Sequence, residues 1–576
     1  MILPLCLSIL WVALVGAKCY ESSQAHPLPE YDLDDINLKQ AFASISNALT
    51  LAVAPEEYES TSFSVEITSS KESLYSYHHT ALVRNASRPD APEVNGNVLY
   101  RIASITKTFT VLGVLYQHGA GNLSLDDPID KYIAELKEKQ EGTIPWKDIT
   151  LRSLASQLSG IPRDFAQVDL INPRWTEPYT PEELGLPPVS RDGLLECDEY
   201  APNYEPNLMG AVKSSAPVFA PNQESTYSNV NYELLGLAIE NVTNQTYESY
   251  IAQAIFEPLD MTKSTLAQPP DSAGVIPFNP QFQSWDWDAG IQNPTGGIFS
   301  SSTDLSKFLR YILTKYNGIT HAINWIHPVS PSRGLNTFYG MPWEIFHTDR
   351  ILKESRRTVK FITKAGGLPG YTSIIITVPD YDLGFTILVA GNSGLCNKIR
   401  EIVTVATVRA AEQIAIEQLN KRYAGTYTST DPDVNSSITL VADHRGLIVS
   451  DFISNSTDVL SSVVRNLLRF EGDKGYAQLI PTLLFKDEAT HSGEFWRINF
   501  ANERTEGEHD VWDDFCMTNI GGVSYAKLPI NEMSFWGGED GGAYETVELT
   551  GFRAKLSRKA DDDTQRASDW QENLEL

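Results

Sequence analysis

A serine stands three residues before a lysine in the stretch Tyr100-Arg101-Ile102-Ala103-Ser104-Ile105-Thr106-Lys107-Thr108-Phe109-Thr110. The apolar pattern of this stretch predicts a helix that begins here and ends near Gly119. Positions three apart lie on one face of a helix, so the Ser104 hydroxyl and the Lys107 amine can share a pocket. A serine becomes nucleophilic when a neighbouring base takes its proton, and a desolvated lysine assists this. The stretch therefore predicts a serine acyl-enzyme.

The spacing alone is not specific, because Ser524 and Lys527 repeat it. Their surroundings, Gly521 to Lys527, are glycine-rich and strand-like, with no helix to align the two side chains. The choice of Ser104 therefore depends on partners elsewhere in the chain.

Two further motifs follow in order. The first is Tyr227-Ser228-Asn229, directly before a segment whose apolar periodicity predicts a helix. The second is Lys364-Ala365-Gly366-Gly367-Leu368-Pro369-Gly370-Tyr371, predicted as a glycine-rich turn between two β-branched strands. Each motif also has a plain structural interpretation, since asparagine suits turns and helix caps and glycine suits backbone geometry. The ordered set of three favours catalysis.

From about Ala41 to Leu419 the sequence resembles the serine β-lactamase and penicillin-binding-protein superfamily. It is most similar to the branch that holds class C β-lactamases, D-aminopeptidases, family VIII carboxylesterases and the statin-pathway acyltransferase. Secondary landmarks support the resemblance: Leu123 to Pro128, Ile149 to Leu154, Ser159 to Pro162, Phe256 to Met261 and Gly296 to Ser301. The resemblance implies an α/β (α+β) fold of the β-lactamase/transpeptidase type, an antiparallel sheet flanked by helices.

The resemblance also implies catalytic roles. Ser104 is the nucleophile, Lys107 helps to activate it, and Tyr227 is the general base. A tyrosine titrates near ~10, so flanking cations are needed to favour its phenolate. Asn229 is expected to orient Lys107 and to donate to the substrate.

The third motif supplies the substrate-binding and oxyanion side, namely Lys364, Gly366 and Gly367. The two oxyanion donors are expected to be the backbone N–H groups of Ser104 and Gly367. Many relatives that handle β-lactams carry hydroxyl residues where this chain has Ala365 and Gly367. Those hydroxyls hold the substrate carboxylate, so their loss disfavours an efficient β-lactamase or carboxypeptidase.

The resulting hypothesis is a serine hydrolase that acts on esters or amides of small molecules. The alternatives are an acyltransferase of the same fold, β-lactam or D-amino-acid peptide hydrolysis, and a non-catalytic relative that binds a ligand. A small acyl substrate is the expected partner, with no cofactor. The sequence leaves open the acyl group, the acceptor and the oligomeric state.

Composition supports a multidomain globular protein and excludes several partners. The chain has 576 residues, 42% of them hydrophobic, with a net charge of −29. Such an acidic surface disfavours nucleic acids and anionic membranes. The histidines and cysteines show no metal-ligand spacing, so metal-assisted hydrolysis is not expected.

The first residues predict export. An apolar run ends in Val15-Gly16-Ala17, which is typical of a signal peptide at residues 1–17, too short for a comfortable membrane span. A secreted protein then explains six Asn-x-Ser/Thr acceptors, at Asn85, Asn122, Asn241, Asn244, Asn435 and Asn455. Four cysteines remain after cleavage, Cys19, Cys197, Cys396 and Cys516, and their disulfide pairing is left open.

Changes in residue composition and periodicity along the chain predict the domains. Residues 18–421 form the β-lactamase-like domain, within which 164–224 is an irregular, acidic, proline-rich loop, interpreted as a lid or a plain decorated loop. Residues 422–559 alternate in short strands, one of them Val547 to Leu556, and predict a β-sandwich or barrel. This domain is expected either to restrict the size of the substrate or only to stabilise the protein. Residues 560–576 are expected to form a polar tail.

Overall fold

The computed structural model describes residues 25–138, 141–164, 170–171, 178–190, 192, 205–278, 284–315, 325–467, 475–503, 517, 520–521, 523–538 and 541–560. They form two compact units. The sheet unit consists of Lys39–Thr348 and Lys360–Thr407, and the barrel unit of Met1–Leu38, Asp349–Val359 and Val408–Leu576. The predicted signal peptide and nearly all of the predicted tail lie outside the described residues.

The sheet unit contains ten described strands: β1 Ser62–Thr68, β2 Ser73–His79, β3 Tyr100–Arg101, β4 Phe299–Ser300, β5 Ser330–Pro331, β6 Thr337–Tyr339, β7 Glu344–Thr348, β8 Val359–Leu368, β9 Tyr371–Val378 and β10 Leu383–Ala390. Eight of them form one sheet in the order β2-β1-β10-β9-β8-β7-β6-β5. Strands β8, β9, β10 and β1 pair antiparallel, and β3 pairs with β4 in a separate ribbon.

The described α-helices are α1 Ile36–Val53, α2 Thr106–Gly119, α3 Leu151–Ala155, α4 Glu205–Ser214, α5 Val230–Thr243, α6 Tyr247–Ile251, α7 Asn293–Gly296, α8 Ser302–Lys315 and α9 Gly394–Arg422. Helix α2 is buried on every side from Thr106 to Leu115, as expected of a helix at the centre of a core. Phe109 stacks on Phe308 of α8 with ring centroids 4.2 Å apart. The helix after Ser104 is therefore fixed by packing in all directions. These sheets and helices confirm the predicted β-lactamase/transpeptidase-like fold.

The barrel unit contains β11 Gly425–Ser429, β12 Ser437–Asp443, β13 Gly446–Ser454, β14 Thr457–Asp458, β15 Gly475–Asp487, β16 Ser492–Asn502, β17 Ser524–Tyr525, β18 Leu528–Pro529, β19 Glu532–Gly537, β20 Tyr544–Leu549 and β21 Ala554–Arg558. Strand β12 pairs with both β11 and β13, which closes the main sheet on itself. Of the two predicted alternatives the structure therefore has the barrel. Its interior is filled by aromatic rings, and Tyr423 packs 4.9 Å from Trp496 and 5.0 Å from Phe535 between centroids.

Three sequence predictions were wrong in detail. The strand expected over Val547 to Leu556 is two strands, β20 and β21, because the chain turns after Leu549. The turn expected from Lys364 is strand as far as Leu368, and only Pro369-Gly370 makes the reversal. The loop expected to be irregular over 164–224 contains α4, where Pro206 stands at the second position and removes no helical hydrogen bond. Much of that loop lies outside the described residues.

The features linked to export have these positions. Five of the six acceptor asparagines are exposed, and Asn85 is half-buried. Cys396 is a buried free thiol, whose pKa burial raises to about 11, whereas Cys19, Cys197 and Cys516 lie outside the described residues. Disulfide pairing thus stays a prediction. Within the described part of the chain, no helix is long and apolar enough to cross a membrane.

Glu494 holds two barrel strands together and provides a stability test. Its Oε2 accepts from the Tyr423 hydroxyl at 2.8 Å and from the Tyr544 hydroxyl at 2.7 Å, and all three side chains are buried. We expect Glu494→Leu to lower the free energy of unfolding of the barrel unit by about 2–4 kcal/mol, because two buried hydroxyls lose their acceptor. Chemical denaturation followed by tryptophan fluorescence measures this. The exposed Glu545→Leu serves as control, and equal stability of the two variants would contradict the prediction.

Candidate active site

Ser104 lies just before helix α2, not within it. It occupies a 3-10 turn, Ala103–Ile105, that leads directly into α2. Ala103 has a φ of 49°, a left-handed conformation that costs a non-glycine residue about 1–2 kcal/mol. Strain of this kind persists where the surroundings fix the backbone. Here the preceding residue, Ile102, donates its N–H to Ile298 O, and its carbonyl accepts from the Ser373 hydroxyl.

Lys107 is completely buried and points at Ser104. Its Nζ donates to Ser104 Oγ at 2.9 Å and to the Thr295 carbonyl oxygen at 2.8 Å. Burial lowers the pKa of Lys107, and the nearby charge of Lys364 lowers it further, while Tyr227 opposes both. The predicted meeting of the Ser104 and Lys107 side chains is present, and Thr295 is an acceptor that the sequence did not reveal.

Tyr227 lies between two ammonium groups. The Nζ atoms of Lys107 and Lys364 are each 5.3 Å from the centre of its ring. Burial by itself raises the pKa of Tyr227, but the two lysine charges and a hydrogen bond with Ser104 outweigh it, so this pKa is lower than that of an ordinary tyrosine. The neighbours of Tyr227 are fixed by Gln157, whose carbonyl accepts from Thr226 N–H and whose side chain accepts from Ser228 N–H.

Asn229 does not make the contact with Lys107 that the resemblance implied. Its side-chain amide donates to Asp164 Oδ1 at 2.8 Å, and its backbone N–H donates to Arg163 O. Asp164 is thus a site residue that sequence reasoning missed, and its charge opposes the fall of the Lys107 pKa. Arg163 lies over the Tyr227 ring, 4.8 Å from its centre. Thr295 links Asn229 to Lys107: its hydroxyl donates to the Asn229 carbonyl, and its own carbonyl accepts from Lys107 Nζ.

Lys364, on β8, has a carboxylate partner on the adjacent strand β7. Its buried Nζ is 2.5 Å from Glu344 Oε1, and Glu344 Oε2 accepts from the Ala365 N–H at 3.0 Å. Burial lowers the pKa of Lys364, but Glu344 and Tyr227 outweigh it, so the pKa is raised and the ammonium stays charged. Glu344 was also missed, because nothing in the sequence places residue 344 beside residue 364.

The two glycines after Lys364 differ in their surroundings. A Cβ on Gly366 would stand 2.2 Å from the Ile102 carbonyl oxygen and 2.6 Å from the Ser373 hydroxyl, so no side chain fits. The same Cβ would be 3.1 Å from the Ser104 nitrogen. A Cβ on Gly367 would meet nothing within 4 Å, and this residue is exposed. Gly366 therefore lets β8 approach the backbone of Ser104, and Gly367 borders open space.

The second serine–lysine pair does not resemble this arrangement. Ser524 and Lys527 are exposed, at the ends of the short β17–β18 ribbon. The structure brings Ser104, Lys107, Tyr227, Lys364 and Gly366 together, with Asn229 one step away through Thr295.

Sequence comparisons identify the family of the chain. Residues 63–403 match the β-lactamase family, and residues 415–560 match a β-lactamase-like C-terminal domain. The probable hydrolase M10 of Phoma sp. is 32% identical over 553 residues, which cover 93% of this chain and 90% of that protein. The probable hydrolase clz13 of Cochliobolus lunatus is 31% identical over 582 residues, covering 94% and 92%.

Among solved structures, an octameric penicillin-binding protein homologue from Pyrococcus abyssi is similar at a TM-score of 0.48 and 19% identity, covering 90% of this chain and 100% of its own. The family match spans the strands and helices that carry Ser104, Tyr227 and Lys364. The chain belongs to the β-lactamase family of hydrolases, within the serine β-lactamase and penicillin-binding-protein superfamily.

Proposed function

We propose that the protein is a hydrolase that cleaves esters of small molecules through a covalent acyl intermediate on Ser104. The observation that supports this most strongly is the contact of 2.9 Å between Lys107 Nζ and Ser104 Oγ, beside a tyrosine of lowered pKa. A pure binding protein has no need of a buried lysine and a cation-flanked tyrosine against one serine. The site also needs no metal or cofactor for acyl transfer.

In the proposed acylation step, Tyr227 accepts the hydroxyl proton of Ser104 as Oγ attacks the substrate carbonyl. Lys107 and Lys364 favour the tyrosinate that this requires. The carbon–oxygen bond to the leaving group then breaks, and Tyr227 returns the proton to the departing alkoxide. The products of this half-reaction are an acyl ester of Ser104 and a free alcohol.

Two backbone N–H groups, of Ser104 and of Gly367, are proposed to bind the oxyanion. The close approach of β8 at Gly366 supports this, since it brings the strand beside the Ser104 nitrogen. Each such donor is worth about 10²–10³ in turnover when it is aimed at developing charge. In deacylation Tyr227 deprotonates a water molecule that attacks the acyl carbon. The bond between that carbon and Ser104 Oγ then breaks, Tyr227 returns the proton to Oγ, and the carboxylic acid is released.

The strand beside the nucleophile favours substrates that lack a carboxylate at the usual β-lactam position. Ala365 and Gly367 offer no hydroxyl there, so a carboxylate would lose hydrogen bonds that relatives supply. Esters suit the site best, and amides of the same shape come next. If an alcohol or amine replaced water as the acceptor of the acyl group, the enzyme would be a transferase. Secretion remains part of the proposal, supported by the predicted signal peptide and the five exposed glycosylation acceptors.

Replacing the nucleophile tests the proposal directly. We expect wild type to hydrolyse an activated short-chain ester and to carry one acyl adduct by intact mass after brief exposure. Ser104→Ala is expected to show no adduct and a loss of turnover of at least about 10³-fold, the scale of removing an acyl-enzyme nucleophile. Ser524→Ala has the same serine–lysine spacing and should behave as wild type. An adduct on Ser104→Ala, or turnover that it retains, would refute the assignment.

The ion pair of Lys364 predicts a shift in pH dependence. Glu344 raises the pKa values of both Tyr227 and Lys364, so Glu344→Gln should lower both. Because activity needs deprotonated Tyr227 and protonated Lys364, the acid and alkaline limbs of kcat/KM against pH are both expected to move to lower pH. Stopped-flow or steady-state profiles on the same ester measure this. The exposed Glu257→Gln is the control, and an unshifted profile for Glu344→Gln would contradict the electrostatic account.

The two glycines provide a matched pair. Gly366→Ala is expected to lower kcat/KM by at least about 10²-fold, because its Cβ collides with Ile102 O and displaces an oxyanion donor. Gly367→Ala should change kcat/KM by less than about 5-fold for a small ester, since its Cβ meets only open space. Equal losses in both variants, measured with the same ester, would contradict the proposed oxyanion geometry.

A further inference from the structure

Arg101 is a buried cation three residues before the nucleophile. Its side chain is 1% exposed, and its guanidinium carbon lies 4.2 Å from the centre of the Phe299 ring and 5.5 Å from that of Trp287. Among the described residues no carboxylate accepts a hydrogen bond from it, and Asp286 and Asp288 act on it only through their charge. Burial lowers the pKa of Arg101 to about 10.

The guanidinium instead donates to three backbone carbonyls. Nε donates to Ser284 O at 2.9 Å, Nη1 to Gly297 O at 3.1 Å, and Nη2 to Trp287 O. Ser284 begins a 3-10 turn that Trp287 follows, and Gly297 follows the short helix α7. The Ser284 carbonyl also accepts from the Trp287 N–H within the turn. Arg101 therefore joins the ends of two short turns through their carbonyls.

These contacts reach the three groups on which the proposed chemistry depends. Ser104 lies three residues after Arg101, at the end of the same short run of backbone. The Gly297 carbonyl is two residues from Thr295, whose own carbonyl binds Lys107 Nζ. The Ser284 hydroxyl donates at 2.7 Å to the carbonyl of Pro369, in the turn that follows Gly367 on β8.

Fixing a loop with a buried guanidinium that has no hydrogen-bonded carboxylate among the described residues costs folding free energy. Moving a charge out of water is strongly unfavourable, and carbonyl dipoles and ring faces compensate for only part of it. An apolar side chain of similar length would fill the same space between Phe299 and Trp287. The presence of a charged side chain here is therefore better explained by the backbone segments that its three donors hold in place.

We infer that Arg101 is a positioning residue for the reaction, which keeps Ser104, the Thr295 acceptor of Lys107 and the oxyanion strand in one fixed arrangement. The inference rests on the proposed acyl-enzyme function. Arg101 itself touches neither the substrate nor the reacting atoms. Its contribution is to the rate of acylation rather than to folding.

The experiment compares Arg101→Met and Arg101→Lys with wild type. We expect Arg101→Met to lower kcat for the activated ester by about 10²-fold, the effect of a misplacement of about 1 Å at the reacting groups, with KM changed less than 3-fold. Its Tm should stay close to that of wild type, because the removal of a buried charge and the loss of donors to three carbonyls act in opposite directions. Arg101→Lys, which keeps the charge and fewer donors, should recover part of the lost kcat.

Arg357→Met is the matched control. Arg357 is also 1% exposed, but its guanidinium pairs with the carboxylate of Glu412 in the barrel unit. Removing it leaves that carboxylate without this partner, so Tm should fall while the kcat of the folded enzyme is unchanged.

Four outcomes are distinguishable. A rate loss in Arg101→Met at a Tm close to that of wild type supports the inference. A kcat within 2-fold of wild type overturns it, and so does a rate loss that accompanies a fall in Tm and is not relieved in Arg101→Lys. If wild type itself is not labelled at Ser104 by a fluorophosphonate probe, the acyl-enzyme function fails and takes the inference with it.

Discussion

The candidate active site depends on the burial of two lysines beside one tyrosine. Each ammonium lies 5.3 Å from the Tyr227 ring, where water cannot screen it. Desolvation weakens the hold of Lys107 on its proton, while Glu344 keeps Lys364 charged. The pKa values of the two buried lysines are therefore shifted in opposite directions, because Glu344 is paired with Lys364 and not with Lys107. Such divergence of neighbouring pKa values is how a single pocket supplies both a base and a permanent positive charge.

The scaffold explains why this charge cluster is tolerated. The three elements that carry the cluster are each fixed by contacts outside it: α2 by its packing in all directions, β8 by its pairing with β9, and the Tyr227 segment by Gln157. The strained Ala103 backbone is surrounded in the same way, by Ile298, Ser373 and Gly296. Rigid surroundings keep the donors aimed without reorganisation, which is the main source of electrostatic catalysis.

Local sequence was sufficient for the elements and for the motif residues, and insufficient for their partners. The serine–lysine spacing, the apolar run of α2 and the β-branched strands are short-range signals, and they predicted individual elements, whereas the fold class came from the resemblance to a known superfamily. Glu344, Asp164 and Thr295 act across separations of 20 to 188 residues, which no periodicity encodes. Asn229 shows the limit most clearly: its position was predicted, but its amide turned to Asp164, a partner decided by tertiary contacts. The proline content was also misleading, because it predicted an irregular loop where Pro206 stands at the second position of a helix.

The closed ring of strands in the barrel unit limits edge-to-edge association at high protein concentration. In an open sheet each outer strand presents unpaired N–H and C=O groups that can recruit another chain. Here β12 bonds to a neighbour on both sides, and the short β14, Thr457–Asp458, is an added outer strand that ends in an acidic residue. Such a domain offers little template for edge-to-edge aggregation. Together with a net charge of −29, this opposes association between copies of the protein.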